Sequence, residues 1–345
     1  MPELPEVETV RRGLNQATLN QKIEGGDVLL PRTIAHPLSA AKFLAGLKDV
    51  TIARWYRQGK YLLAELSTEK QGTPRDHLIL CPPASGVSHP HCVPLRYHPQ
   101  PLSHQGRGGQ EKFFYTTDAK GHDIIPNPQS PIQNPAGWLG VHLRMTGQLL
   151  WLERDQPLHK HTRVRLFFGE SRELRFVDQR TFGQMWWVPP TERPENVISG
   201  LKRLGPDPFS AEFSGEYLVE KLRSRRRPIK NALLDQQLVA GIGNIYADEA
   251  LFKSGVRPTT LCTSLSLEQI ARLRTAIIEV LQASIEAGGT TFSNFLNVQG
   301  INGNYGGVAW VYNRHGQPCR DCGASIQKLK LAGRSSHFCP QCQPE

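Results

Sequence analysis

Met1-Pro2-Glu3-Leu4-Pro5-Glu6-Val7-Glu8-Thr9 opens the chain, and its reading governs that of everything downstream. A proline directly behind an initiator methionine is exposed when that methionine is trimmed, which leaves a secondary amine as the terminus. α-Amino groups titrate near pKa ~8, far below lysine. A useful fraction is therefore uncharged at neutral pH and can attack an electrophilic carbon to form an imine. Pro5 suits the first turn of a helix, and Glu3 and Glu6 stand three apart on one face of it. Acid or base groups would then lie beside the amine. The same residues also describe an ordinary amphipathic helix, with acids at the positive dipole end and Val7, Val10 and Leu14 packed inward. This stretch alone does not choose between the two readings.

The chain has 345 residues, enough for two or three domains with proper cores. Lysine and arginine number 41 against 31 acids, a formal charge of +10. That excess suits a polyanion, nucleic acid before an acidic membrane surface. No apolar run approaches the roughly 18–20 residues of a membrane span, and the acidic start lacks the apolar stretch of a signal peptide. A cytosolic location is expected. Cysteines stay reduced there, so the seven present point to metal or chance, not disulfides.

A helix is expected over residues 5–19. Short β-rich runs follow at Ile23–Leu30, Val50–Trp55 and Tyr61–Leu66, then at Trp138–Leu152, Arg163–Phe168, Glu173–Val177 and Met185–Val188, the spacing of a β-sandwich or barrel. Residues 70–137 between the two blocks hold 11 of the 26 prolines and 6 of the 12 histidines. They read as a largely disordered insertion between two strands that would otherwise form a hairpin. Cys81, His89, His91 and Cys92 within it could ligate a metal, but their irregular spacing favours a solvated loop. Pro189, Pro190 and Pro194 mark a linker. Helices are expected at Ala211–Ser224, Pro228–Leu234, Asn244–Ser254 and Ser266–Ala287, the last opening on a Ser266/Gln269 capping box.

The tail carries the strongest chemical signal. Cys319-Arg-Asp-Cys322 and Cys339-Pro-Gln-Cys342 are separated by 16 residues, the pattern of a closed, structural four-thiolate zinc site on two knuckles. Lys328, Lys330, Arg334 and His337 between the knuckles would suit a phosphate backbone if a hairpin carried them. Upstream, Gly241-Ile242-Gly243-Asn244-Ile245-Tyr246 precedes an apolar helix. With Asn244 as N-cap it would aim backbone N–H groups at an anion. Arg223, Arg225, Arg226, Arg227 and Lys230 supply cations nearby, and a helix–turn–helix-like pair presenting both to phosphates competes with an ordinary capped helix. Lys60, entering an apolar strand, is a candidate buried amine or an exposed edge-strand lysine. Met145 and Phe182 are expected at loop tips as wedges for an opened base stack, although each also reads as core.

In order and spacing these pieces resemble one family, the bacterial formamidopyrimidine-DNA glycosylases, bifunctional repair enzymes for 8-oxoguanine and ring-opened purines. The resemblance covers nearly the whole chain outside residues 70–137. It implies an α+β multidomain fold: an N-terminal helix with a two-sheet β-sandwich (1–190), a helix-two-turn-helix domain (205–295), and a lesion loop with a four-Cys zinc ribbon (296–345). It implies a monomer in the bacterial cytosol that binds double-stranded DNA containing oxidised purines or abasic sites across the cleft between its lobes, cuts the strand by β,δ-elimination, and holds one structural zinc ion.

By position, the resemblance makes Pro2 the nucleophile that forms a Schiff base at C1′. Glu3 becomes the acid that helps open the sugar, and Glu6 a support behind them. Lys60 takes a phosphate contact and proton donation in β-elimination, and Arg334 takes δ-elimination. His161, Arg226, Lys230 and Asn244 fall on phosphate-contacting positions. Met145, Arg180 and Phe182 fall on the trio that fills the gap left by a flipped base. Gly288–Tyr312 corresponds to a mobile loop over that base. Leu4 favours the purine-type enzyme, because the sister endonuclease VIII typically has glycine there. Thr181, Asn313 and the Gly300–Tyr305 loop depart from the family pattern.

Overall fold

Helix α1 (Leu4–Thr18) carries Val7, Val10 and Leu14 at helical spacing, and all three are fully buried. Pro5 sits in its first turn, and the Glu6 carboxylate reaches back to accept the Glu3 N–H at 2.8 Å, so the helix starts with its own N–H groups satisfied. The computed structural model describes residues 1–69, 134–290, 297–301, 303, 307 and 309–345. After α1 come β1 (Ile23–Val28), β2 (Ile34–His36), α2 (Ala40–Leu47), β3 (Thr51–Gln58), β4 (Tyr61–Ser67), β5 (Pro135–His142), β6 (Gly147–Glu153), β7 (Thr162–Phe168), β8 (Arg172–Asp178) and β9 (Gln184–Val188). The strands form two sheets, one ordered β1-β7-β8-β6 and the other β2-β9-β5-β4-β3. Val164, Leu166, Phe168 and Phe176 of the first sheet share one core with Trp55, Leu62, Ala64, Leu139 and Val141 of the second. Two separate sheets over one core make a sandwich, not a barrel.

Two sequence expectations change here. The run Trp138–Leu152 is two strands in different sheets, broken by a turn at residues 144–146. β5 also begins at Pro135, inside the expected insertion. Pro135 and Gly137 look like loop residues, but a Cβ on Gly137 (φ +102°) would lie 2.1 Å from the Val188 carbonyl oxygen, so only glycine lets the strands close up. The expected hairpin holds: β4 pairs with β5 antiparallel, and Thr68 N–H donates to the Asn134 carbonyl at 3.1 Å. Cys81, His89, His91, Cys92 and the intervening segment lie outside the described residues.

Beyond a short helix, α3 (Pro194–Val197), the second half holds α4 (Gly215–Arg223), α5 (Ile229–Leu233), α6 (Asn244–Lys253), α7 (Leu267–Glu286) and a hairpin of β10 (Gln327–Leu331) with β11 (Arg334–Phe338). The Ser266/Gln269 capping box is present on α7. Leu4 belongs to this half's core, with Leu218, Ile229, Leu233, Ile245 and Leu251. Helix α1 therefore puts its first residue into the helical core and the rest of its apolar face into the sandwich.

Candidate active site and nucleic-acid interface

The turn Gly241-Ile242-Gly243 receives the first residues of α1. Leu4 N–H donates to the Gly241 carbonyl at 3.0 Å. A Cβ on Gly241 (φ +92°) would lie 2.7 Å from Leu4 Cβ, and one on Gly243 would lie 2.2 Å from the Glu3 carboxyl carbon. The glycines are thus needed for close approach. The N–H groups at the start of α6 do meet an anion, and it is Glu3: Ile245 N–H donates to Oε1 at 3.1 Å and Tyr246 N–H to Oε2 at 3.4 Å. The cap is Gly243, with Asn244 one place inside the helix, which corrects the expected Asn244 cap. Asn244 instead hydrogen-bonds the Tyr312 hydroxyl.

Pro2 is buried beside this carboxylate. Burial lowers the pKa of the adjacent Met1 amine, against Glu3 and Glu6, which raise it, and with Lys60 and Arg180, which lower it. Burial also raises the pKa of Glu3 above the ordinary carboxylate range, opposed by Lys60 and the two α6 amides. Lys60 is the buried amine and not an edge lysine. Its Nζ donates to the Ile242 carbonyl at 2.9 Å. Burial pulls its ammonium below the usual lysine value; Arg334 pulls the same way while Glu3 and Glu6 oppose. A desolvated lysine of this kind exchanges protons closer to neutrality. Arg334 begins β11 behind a two-residue turn, Ala332-Gly333, in which both φ angles are positive, the geometry that matches strand twist. Pro2, Glu3, Glu6, Lys60 and Arg334 are thus brought together from the start of α1, the β3–β4 turn and the C-terminal hairpin.

The loop residues converge as well. Thr146 Oγ1 donates to Asp178 Oδ1 at 2.5 Å and accepts from Arg180 N–H at 2.9 Å, which ties the Met145 turn to the loop carrying Arg180 and Phe182. Phe182 is 53% exposed, with the Arg180 guanidinium 5.1 Å from its ring centroid, so it is not a core residue. Met145 is half-buried. His161 lies beside the same loop, its carbonyl accepting Asp178 N–H at 2.9 Å. Thr181 (φ +58°) is held in the left-handed region, which a β-branched residue rarely adopts. Its hydroxyl accepts from the Arg32 guanidinium at 2.6 Å, so a cation reaches this position from another loop. Asn313 (φ +59°) holds the backbone in the left-handed region, a conformation asparagine tolerates.

The expected cations divide into two groups. Arg226 is exposed, whereas Arg225 and Arg227 pair with Asp235 at 2.8 and 2.6 Å. Lys230 is a correction. Its side chain is fully buried, paired with Asp248 at 2.6 Å and donating to the Ser335 carbonyl at 2.7 Å. It ties the β10–β11 hairpin to α6 and presents no surface to a phosphate. His337, also buried, donates its N–H to Asp248 at 2.9 Å. The sulfurs of Cys319, Cys322, Cys339 and Cys342 all lie within 4.8 Å of one another, with pairs at 3.4 and 3.8 Å. A tetrahedral ion with metal–sulfur bonds near 2.3 Å needs sulfurs about 3.8 Å apart, so the four residues fit one such ion.

Known proteins share this arrangement. The formamidopyrimidine-DNA glycosylase N-terminal domain model matches residues 1–123 and 96–185, the formamidopyrimidine-DNA glycosylase H2TH domain model residues 204–295, and the zinc finger found in FPG and IleRS residues 316–344. A formamidopyrimidine-DNA glycosylase of Nostoc sp. is 60% identical over 343 residues, 99% of this chain and 100% of that one. The chain belongs to the formamidopyrimidine-DNA glycosylase family. Among solved structures, the complex between Lactococcus lactis Fpg and an abasic site containing DNA is similar at TM-score 0.73 and 30% identity, over 99% of this chain and 100% of that chain. The Lactococcus lactis complex with a FAPY-dG containing DNA gives TM-score 0.72 and 30% identity, over 99% and 100%.

Several site residues of this family member escape the sequence reading. Gln236 braces the glycine turn, accepting Gly241 N–H at 2.9 Å and donating to the Ile242 carbonyl at 2.8 Å. Glu249 accepts three successive N–H groups, from Trp310, Val311 and Tyr312, at 2.8–3.0 Å. Val298, expected in a mobile loop, is buried in the sandwich core, and its carbonyl accepts Trp151 N–H at 2.9 Å. A signal existed for Asp248 and Glu249. Two adjacent acids in an otherwise apolar helix can be buried only if partners wait for them.

Proposed function

We propose that this chain is a base-excision DNA glycosylase that removes oxidised purines, 8-oxoguanine and formamidopyrimidines, from duplex DNA and cleaves the strand by β,δ-elimination. The single observation that carries this reading is the Glu3 carboxylate. It is desolvated beside Pro2, held by the α6 amides, and faced by the buried Lys60. A base inside a duplex must be extruded before C1′ can be reached. Phe182, Arg180 and Met145 offer side chains to fill the gap, offsetting part of a cost of a few kcal/mol. With Met1 removed, the Pro2 nitrogen attacks C1′ as the glycosidic bond breaks, and the proton that the nitrogen gives up leaves on the departing base. Glu3, whose raised pKa lets it hold a proton, donates that proton to the ring oxygen as the sugar opens to the iminium. Lys60 then serves proton transfer and a phosphate contact in β-elimination, and Arg334 serves δ-elimination. Arg226, His161 and Asn244 are the phosphate-contacting residues, positioning the duplex without reading its sequence. One zinc ion on Cys319, Cys322, Cys339 and Cys342 keeps the Arg334 hairpin folded. The enzyme acts as a monomer in the cytosol.

Borohydride is expected to trap the protein covalently on an 8-oxoguanine duplex, and Pro2→Gly to lose most of the adduct. Full trapping by Pro2→Gly overturns the assignment.

A further inference from the structure

Tyr246 is 1% exposed within the helical core, yet its hydroxyl donates to Glu6 Oε1 at 2.6 Å and lies 2.5 Å from Ser284 Oγ on α7. The same Glu6 oxygen accepts Thr290 N–H at 2.8 Å, and the other oxygen accepts Glu3 N–H at 2.8 Å. Donors from α6, from the segment after α7 and from the residue next to Pro2 therefore converge on one buried carboxylate. Glycine suits the backbone here, because Gly289 (φ +83°) lies in the left-handed region and a Cβ on it would sit tightly against Glu6, 3.2 Å from Oε1. Phenylalanine would fill the apolar space equally well. A buried hydroxyl is kept in a core only where its hydrogen bonds are made.

We propose that Tyr246 is a positioning residue: with Ser284 behind it, it fixes the Glu6 carboxylate, and Glu6 fixes the Glu3 backbone that carries Pro2. One carboxylate oxygen then holds both the start of the segment entering at Gly288 and, through its partner oxygen, the geometry of the nucleophile. Glu6 acts as a strut between the N-terminal residues and Thr290, and Tyr246 sets its angle. The inference rests on the assignment of Pro2 as nucleophile.

The test is a double-mutant cycle in the full chain, read by single-turnover base excision on an 8-oxoguanine duplex and by Kd for a duplex bearing a tetrahydrofuran abasic analogue. Tyr246→Phe should slow excision ten- to hundredfold while Kd stays within twofold. In a Glu6→Ala background, where the acceptor is gone, the same change should cost less than threefold. Ser284→Ala should reproduce a three- to tenfold part of the loss, and it carries the same cycle if Tyr246→Phe fails to fold. An excision rate within twofold of wild type, an undiminished loss in the Glu6→Ala background, or a Kd that rises with the rate loss each overturn the proposal. Failure of the wild type to be trapped by borohydride would instead remove the Pro2 reading, and the proposal with it.

Discussion

In the β-sandwich, Val164, Leu166 and Phe168 alternate inward along β7 and meet Trp55, Leu139 and Val141 in an apolar core. In the helical half, α6 buries Asp248 and Glu249 completely, and its first amides receive the Glu3 carboxylate. Apolar contacts tolerate small shifts, because any similar surface will serve. Buried charges do not: each needs a particular donor at a particular distance, and removing one partner costs about 3–5 kcal/mol. α6 uses this strictness four times. Its N-terminus fixes Glu3, Tyr246 fixes Glu6, Asp248 fixes the β10–β11 hairpin through Lys230, Ser336 and His337, and Glu249 fixes residues 310–312. The sandwich is a scaffold that presents loops, while the helical half is a jig that sets the positions of Glu3 and Glu6.

The harshest way to break this contrast is Gly243→Ala. The added methyl would stand 2.2 Å from the Glu3 carboxyl carbon. Borohydride trapping should fall at least a hundredfold while the β-sheet circular dichroism is unchanged. Trapping within threefold of wild type would mean that the jig is looser than its contacts imply.

The joint between the halves gives an intermediate effect. Glu8 on α1 bonds Arg11, Arg12 and Arg57, and Arg57 also pairs with Asp207 at 2.7 Å. Burial would raise the Glu8 pKa, but Arg11, Arg57 and Arg12 more than reverse this and hold it at about 2. A carboxyl depressed in the folded state contributes stability above its unfolded pKa of roughly 4.3 and loses it as pH falls through the folded value. Wild type should therefore lose about 3 kcal/mol relative to Glu8→Gln between pH 5 and 2 in urea titrations. Parallel curves would show the joint to be held by packing alone.

The smallest effect is expected on the sandwich side. Thr68 and Asn134 are already hydrogen-bonded across the β4–β5 gap. Deleting residues 72–131 leaves four residues to join Glu69 to Asn134, a length common in hairpins. Excision rate and thermal midpoint should stay close to wild type, the rate within twofold. A larger loss would show that the segment takes part in folding or in binding DNA.

Much of this was legible in the chain. Capping residues, alternation along strands and the paired cysteine knuckles are local patterns with local causes, so helices α1 and α7, most strands and the four-cysteine cluster follow from them. α2 and β2 are too short to announce themselves by periodicity. Lys230 is the instructive failure. In sequence it is one of five cations between residues 223 and 230; in the fold it is a buried tie to Asp248. A run of charge shows that cations are available, but not which of them a buried acid will claim.

By itself, the sequence determined the parts: an amine-bearing N-terminal helix, a glycine turn, a buried-amine candidate at Lys60 and four thiolates at zinc spacing. Only the tertiary structure decided what the glycine turn is for. The amides that seemed aimed at a phosphate hold Glu3, 242 residues away from Ile245. Local pattern reports which faces are buried and which groups need partners. The partner itself is chosen by chain closure and packing over the whole fold, and that choice turns a helix start into a site.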